Sequence, residues 1–303
     1  MVSVIIPNYN HHQYLQLRIQ SVLDQTFQNY EIIILDDCST DNSRSIIESF
    51  RNNIKIRHIV YNEQNSGSTF SQWSKGIQLA VGEIIWIAES DDYAEPTFLD
   101  KLIPLFDEPQ VNLAFAQSYR VNELNEITDN CLSWFSKEFH KAFKISGREF
   151  IKNYLWENNQ IYNASSVLFR KTAYPTDVNK LNELKFVGDW MAYLKIICDG
   201  QLAYIPDVLN YFRESSHSVT KKYLNSVLHV EERLKIAKYI VANKLYPNST
   251  KLNTLLNYLA GLLIYSQIKK SDFWRLTRYA MKSDPLILVR LAYLKCVKMF
   301  RKE

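Results

Sequence analysis

Short apolar runs alternate with helical periodicity from Val2 to Ala88, and that alternation limits the fold more than any other feature of the chain. Val2–Ile6 reads as a strand. Tyr14–Leu23 carries Leu15, Ile19, Val22 and Leu23 at helical spacing. Tyr30–Leu35 is a second strand, with Ile32, Ile33 and Ile34 in an unbroken row. A helix over Asp41–Phe50, a strand over Ile54–Tyr61, a helix over Ser68–Val81 and a strand over Glu83–Ala88 follow. Unbroken apolar strands belong to sheets covered on both faces, and strands separated by helices pair in parallel through right-handed crossovers. The expected class is α/β: a doubly wound, mostly parallel sheet with helices on both faces.

In such sheets ligands sit beyond the carboxyl ends of the strands. Every strand end here is polar: Pro7-Asn8-Tyr9-Asn10, then Asp36-Asp37, then Asn62-Glu63-Gln64-Asn65-Ser66-Gly67, then Glu89-Ser90-Asp91-Asp92. The last is the most informative. Clustered carboxylates raise one another's pKa, and a divalent cation relieves the repulsion. Hard carboxylate oxygens suit Mg2+ or Mn2+, ions that bridge to phosphate. A solvated acidic turn leading into a helix near Pro96 is the bland reading of the same residues. No glycine precedes Gly67, so the first strand–helix turn is neither a Rossmann G-x-G-x-x-G nor a P-loop. An aspartate at the end of the second strand can accept a hydrogen bond from a base N–H, an arrangement that suits uracil N3–H.

Bulk properties bound the rest. With 303 residues and 47% hydrophobic composition, there is material for one substantial core and a smaller appendage. A net charge of +4 argues against a dedicated nucleic-acid binder. Cys38, Cys131, Cys198 and Cys296 are scattered without a C-x-x-C pair and read as reduced thiols. No signal peptide is expected after Met1, and no apolar stretch approaches the ~18 residues of a membrane span. The expected location is cytoplasmic.

Three segments together resemble family-2 inverting glycosyltransferases of the GT-A fold: Val2-Ser3-Val4-Ile5-Ile6-Pro7-Asn8-Tyr9-Asn10, Ser21-Val22-Leu23-Asp24-Gln25-Thr26 and Asp36-Asp37-Cys38-Ser39-Thr40-Asp41. The resemblance covers about residues 1–220, leaving 221–303 as a helical extension. It implies that Pro7 and Tyr9 line the nucleotide pocket and that Asp37, with Asp36 beside it, reads the base. It places Asp91 on the ribose and Asp92 on the metal, in a variant of the D-x-D motif. Glu89 to Asp91 is an alternative register for that motif and leaves the metal ligand open. Asp189, in Phe186-Val187-Gly188-Asp189-Trp190, matches the general base. An Asp with an ordinary pKa of about 3.9 at a helix start is a weak base, so position outweighs basicity, and a helix N-cap is the competing role. Arg213 and His217 match an R-x-x-x-H-x-x-S stretch whose members approach the diphosphate or the metal. Looser matches put Gln72, Trp73 and Lys75 near the base or ribose and Ser165 near the sugar. Trp134, Phe135, Phe139 and Phe143 read as core first and as an acceptor platform second.

Beyond Thr220 the patterns are helical: Leu224–Val241, Lys251–Ile268, Trp274–Met281 and a last helix opened by Pro285, with Ser283 and Asp284 as caps. At roughly 100° per residue, Arg290, Lys295, Lys298, Arg301 and Lys302 share an arc of about 140°. Leu288, Val289, Ala292, Tyr293, Cys296, Met299 and Phe300 fill much of the other side. Such a helix packs on its own protein or lies peripherally on the inner membrane surface. The implied function is metal-dependent transfer of a sugar from a nucleotide-diphosphate sugar donor, UDP-linked, to a saccharide or lipid-linked acceptor. A sugar-1-phosphate nucleotidyltransferase needs a glycine-rich first loop that this chain lacks. A non-enzymatic nucleotide-binding subunit is opposed by the presence of Asp37, Asp92, Asp189 and His217.

Overall fold

Seven consecutive buried residues, Val2–Asn8, form β1. It is buried throughout because it has strands on both edges and helices on both faces. A computed structural model describes the chain apart from residues 131–136, 178–180, 215–225, 266–268, 283 and 293–303. β2 (Tyr30–Asp36), β3 (Ile56–Tyr61) and β4 (Ile84–Ile87) complete a parallel half-sheet, in which Val4 lies between Ile32 and Trp86. Val4 and Ile6 share one face with Leu15, Ile19 and Val22 of α1 (His12–Leu23). Ile5 points the other way, against α3 (Thr69–Leu79), where a Cβ on Gly76 would sit 2.4 Å from the Ile5 side chain. α2 (Ser43–Ser49) is shorter than the predicted Asp41–Phe50. Asp41 stays outside it, accepting from the backbone N–H of Ser43 and of His12 at 2.9 Å each.

The second half of the sheet is mixed. It contains β5 (Tyr93–Ala94), β6 (Val111–Val121), β7 (Ile127–Asn130), β8 (Phe143–Ser146), β9 (Val167–Arg170) and β10 (Gln201–Arg213). The order across the sheet is β3-β2-β1-β4-β9-β6-β10-β5, with β7 on β6 and β8 on β10. β9 runs antiparallel to both β4 and β6, while β10 runs parallel to β6. The ends of β1, β2, β4 and β10 and the start of β9 therefore share one rim. Two more helices belong here: α4 (Phe98–Leu102), whose Phe98 ring stacks on Trp86 at 4.6 Å, and α5 (Gly188–Cys198).

The chain divides into two compact units. Residues 1–147 and 161–216 form the sheet unit, and residues 148–160 join 217–303 in the other. The helical unit therefore takes a segment from the middle of the chain as well as the C-terminal quarter. The helices of its C-terminal part are α6 (Val227–Ala242), α7 (Ser249–Tyr265) and α8 (Lys270–Ala280), with residues 287–292 also helical. Arg233 of α6 donates to the Glu157 carbonyl (2.9 Å) and to Asn158 Oδ1 (3.0 Å), which ties the inserted segment to this unit. The last helix is phased differently from expectation. Arg290 turns inward to Asp284 (2.7 Å) and to Asn253 and Asn257 (2.8 Å each), while Leu288 and Val289 face outward. Asp284 caps it, with Oδ1 accepting from Leu286 N–H at 3.1 Å. Ser283, Lys295, Lys298, Arg301 and Lys302 lie outside the described residues. No described helix is long and apolar enough to cross a membrane.

Candidate functional site

β4 ends at Ile87 and the chain turns through Glu89-Ser90-Asp91-Asp92 before β5 begins, closed by an Asp92 N–H to Glu89 carbonyl bond of 3.2 Å. The acids of this turn have different environments. Asp92 is buried, and both of its oxygens are taken: Oδ1 accepts from the Arg213 backbone N–H (2.9 Å), Oδ2 from Ser165 Oγ (2.6 Å) and Asn163 Nδ2 (3.1 Å). Burial, followed by the nearby Asp91 charge, raises its pKa to about 6, against the opposing pull of Arg18. Glu89 accepts from Trp73 Nε1 at 2.8 Å, and burial followed by the Asp91 charge raises it to about 8. Asp91 is partly exposed, and its carboxylate accepts no hydrogen bond from a described residue. The expectation that Asp92 holds a metal meets a geometry that points its oxygens inward. Asp91 is the acid of the turn that no described residue bonds, while Glu89, half-buried like it, has one oxygen on Trp73.

Arg18 lies beneath this turn. It is fully buried on the apolar face of α1, donating from Nε to the Glu89 carbonyl at 2.8 Å. Its Nη2 is 4.0 Å from Asp92 Oδ2, and neither Nη has a hydrogen-bond partner among the described residues. Desolvation lowers its pKa to about 10 against the pull of Asp92, Asp91 and Glu89. A buried guanidinium is costly unless opposite charge surrounds it, and these acids supply that charge. The sequence reading missed Arg18, although a cation at helical spacing among Leu15, Ile19 and Val22 was the visible signal. Asn163, in the same stretch as Ser165, orients Ser165 by accepting the Ser165 backbone N–H at 2.6 Å. Ser165 is buried and serves the turn, since its Oγ also accepts from Glu89 N–H at 3.0 Å.

Arg213, expected near the diphosphate, is spent on protein. Nε donates to the Asp91 carbonyl (2.8 Å), Nη1 to the Asn122 carbonyl and Nη2 to Asn125 Oδ1, with Tyr14 against the guanidinium face at 4.0 Å. It clamps the acidic turn to the loop between β6 and β7. His217 lies outside the described residues, as do Trp134 and Phe135. Phe139 and Phe143 pack around Tyr204, which matches the core reading.

At the ends of β1 and β2, Pro7 is buried and Tyr9 is 45% exposed. Asp36 is buried, accepting from Asn8 Nδ2 (2.8 Å) and Ser39 N–H (3.1 Å). Asp37 accepts from Asn62 Nδ2 (2.6 Å), Gln72 Nε2 (2.9 Å), and the Ser66 N–H (2.9 Å) and hydroxyl (2.8 Å). A base N–H reaching Asp37 therefore has to displace one of these donors. α3 serves the rim with three side chains: Gln72 on Asp37, Trp73 on Glu89, and Lys75 on Asn62 Oδ1 at 2.6 Å.

Asp189 occupies the first turn of α5, with Oδ1 accepting from the Trp190 N–H at 2.7 Å. Gly188 permits that placement, because a Cβ there would sit 2.4 Å from the Phe70 ring. One helical turn on, the Tyr193 hydroxyl is buried without a hydrogen-bond partner among the described residues. Burial, then the charges of Asp189 and Glu89, pushes its pKa well up. Asp189 and Glu89 thus lie within electrostatic reach of one hydroxyl.

A divalent cation fits this rim in one way. Among the described residues no group of three His, Cys, Asp or Glu side chains is arranged to hold a metal. One open carboxylate beside two further acids does suit Mg2+ or Mn2+ completed by phosphate oxygens and water.

A mostly parallel half-sheet extended by a mixed half, with acidic and polar side chains gathered at the strand ends, defines an α/β protein of doubly wound type. The chain belongs to glycosyl transferase family 2, whose model matches residues 3–174, more than half of its length. It is 33% identical over 126 residues to glycosyltransferase GlyG of Streptococcus pneumoniae serotype 4, covering 41% of this chain and 40% of GlyG. It is 30% identical over 122 residues to poly(ribitol-phosphate) beta-N-acetylglucosaminyltransferase TarS of Staphylococcus aureus, covering 40% of this chain and 21% of TarS. The chain thus spans less than half the length of these curated relatives. The crystal structure of S. aureus TarS 1–349 with UDP-GlcNAc superposes with a TM-score of 0.66 at 19% identity, over 94% of this chain and 82% of that one. Mannosyltransferase PcManGT from Pyrobaculum calidifontis, in complex with GDP-Man and Mn2+, gives 0.57 at 14% identity, over 99% and 82%. These likenesses show the GT-A fold.

Proposed function

We propose that this protein is an inverting glycosyltransferase that moves a sugar from a UDP-linked donor to a hydroxyl of a saccharide or lipid-linked acceptor. The observation that carries the reading is the acidic turn, in which protein donors occupy both oxygens of Asp92, Trp73 binds one oxygen of Glu89, and the Asp91 carboxylate accepts from no described residue. Asp91 would hold the divalent cation, replacing Asp92 in that role. The UDP-GlcNAc and UDP bound to TarS support a nucleotide-sugar donor, and the Mn2+ in PcManGT supports a cation beside it.

In this reading Asp37 offers the base an acceptor once Asn62 or Ser66 yields. When bound, the cation supplies charge stabilisation to the diphosphate. Asp189 accepts the acceptor's hydroxyl proton as the new O–C1 bond forms, and the electron pair of the breaking C1–O bond leaves with the diphosphate. Its Oδ1 is fixed by Trp190 N–H, so the carboxylate is aimed before the acceptor arrives. Inversion follows from single displacement. We place the reaction at the cytoplasmic face of a membrane. Exposed Leu286, Leu288 and Val289, followed in sequence by Lys295, Lys298, Arg301 and Lys302, favour peripheral contact there.

Paired substitutions test the reading. Asp189→Asn should lower kcat at least ~100-fold, the scale of lost general-base help, with UDP affinity retained. Asp91→Asn should remove the Mn2+-dependent part of UDP binding while the melting temperature holds. Asp92→Asn should do the reverse, lowering the melting temperature and leaving the Mn2+ dependence. Retained Mn2+ dependence in Asp91→Asn would overturn the ligand assignment. Equal loss of UDP binding in Asp189→Asn would reduce that residue to a helix-end role.

A further inference from the structure

We propose that His11 is a further donor-binding residue, whose Nε2–H hydrogen-bonds a diphosphate oxygen of the nucleotide sugar. The proposal rests on the glycosyltransferase reading and names a contact within the same site. His11 directly precedes α1, just beyond the end of β1, and its Nδ1 lies 2.8 Å from Ser90 Oγ. Ser90 is buried, and His11 is the partner its hydroxyl has among the described residues. A buried hydroxyl spends its hydrogen on the acceptor within reach. Ser90 therefore donates, Nδ1 accepts, and the neutral ring carries its own proton on Nε2.

That Nε2–H pairs with no described residue, and the ring is only half-buried. Its anchor is the residue immediately before Asp91. The cations of this turn are otherwise committed: Arg18 is sealed beneath it, and Arg213 is spent on Asp91, Asn122 and Asn125. An anion drawn to a cation on Asp91 thus meets an oriented ring N–H with nothing else to bond. Ser90 sets which nitrogen is free, so the pair Ser90–His11 converts the acidic turn into a site with an open donor.

The test combines UDP titration with Mn2+, donor kinetics and nitrogen NMR of 15N-histidine-labelled protein. His11→Ala should weaken UDP binding and raise the donor KM ~10- to 100-fold, the range for a hydrogen bond to a charged group. His11→Gln, which keeps an N–H near Nε2, should recover part of that loss, and His11→Asn should not. In the wild-type protein the His11 signals should show the Nε2–H tautomer, and UDP should shift the Nε2 resonance. UDP affinity within twofold of wild type in His11→Ala, or a His11 resonance unmoved by UDP, overturns the proposal. Wild-type protein that binds no nucleoside diphosphate sinks the glycosyltransferase reading itself. That result is separate from one in which wild type and variant bind UDP equally, where His11 alone fails.

Discussion

Glu89 and Asp92 are held at a protonation cost that the acidic turn itself creates. Burial, then Asp91, raises their pKa values to about 8 and about 6. A carboxyl whose folded value lies above its unfolded value of about 4 favours the folded state while protonated. That contribution is complete below pH ~4 and is lost as pH rises through the folded values. In EDTA, Glu89→Gln should therefore melt above wild type by a margin that widens from pH 4 to pH 8 and then levels. A margin independent of pH would place the strain elsewhere. The sequence showed that acids cluster here but not which of them is open. Neighbouring residues in a turn point in different directions, and the partners that claim Asp92 come from Asn163, Ser165 and Arg213, far along the chain. The helix start at Asp189 was legible in the sequence, because a helix start is a local signal.

Among the elements, α5 depends on a single missing side chain. Gly188 lies against the Phe70 ring, and Gly188→Ala should cost ~1–3 kcal/mol by overpacking. Because Asp189, the proposed base, is the next residue, the same change should on that proposal lower kcat more than it weakens UDP binding. Adding Phe70→Leu should restore both; a double variant no better than the single would show that the ring contact does not set the helix start. β1, β2 and β4 were readable from their apolar runs and β3 from its alternation. β6 and β10 were not. β6 interrupts its apolar residues with Asn112, Gln117, Ser118 and Arg120, and β10 contains Pro206, Asp207 and Asn210. Their pairing carries register shifts at Tyr204/Val208 and Val208/Asn210, which break the alternation that marks a strand.

At the scale of the molecule, residues 148–160 belong with the helical unit although they lie in sequence inside the sheet unit. A chain ending at residue 216 keeps that segment, with buried Phe150, Ile151, Leu155 and Trp156, and removes Arg233, which ties it down. Such a chain should aggregate in size-exclusion chromatography, whereas one that also replaces 148–160 with a short linker should elute as a monomer. Equal behaviour of the two would mean that the inserted segment needs no cover. β9 sets a further condition, on synthesis. It fills the gap between β4 and β6, and it leaves the ribosome only after the chain has been made to residue 170. Until then β4 offers a bare apolar edge, Ile84–Ile87, to any passing strand. Slower translation across residues 88–166 would lengthen the exposure of that edge to misassembly with neighbouring chains.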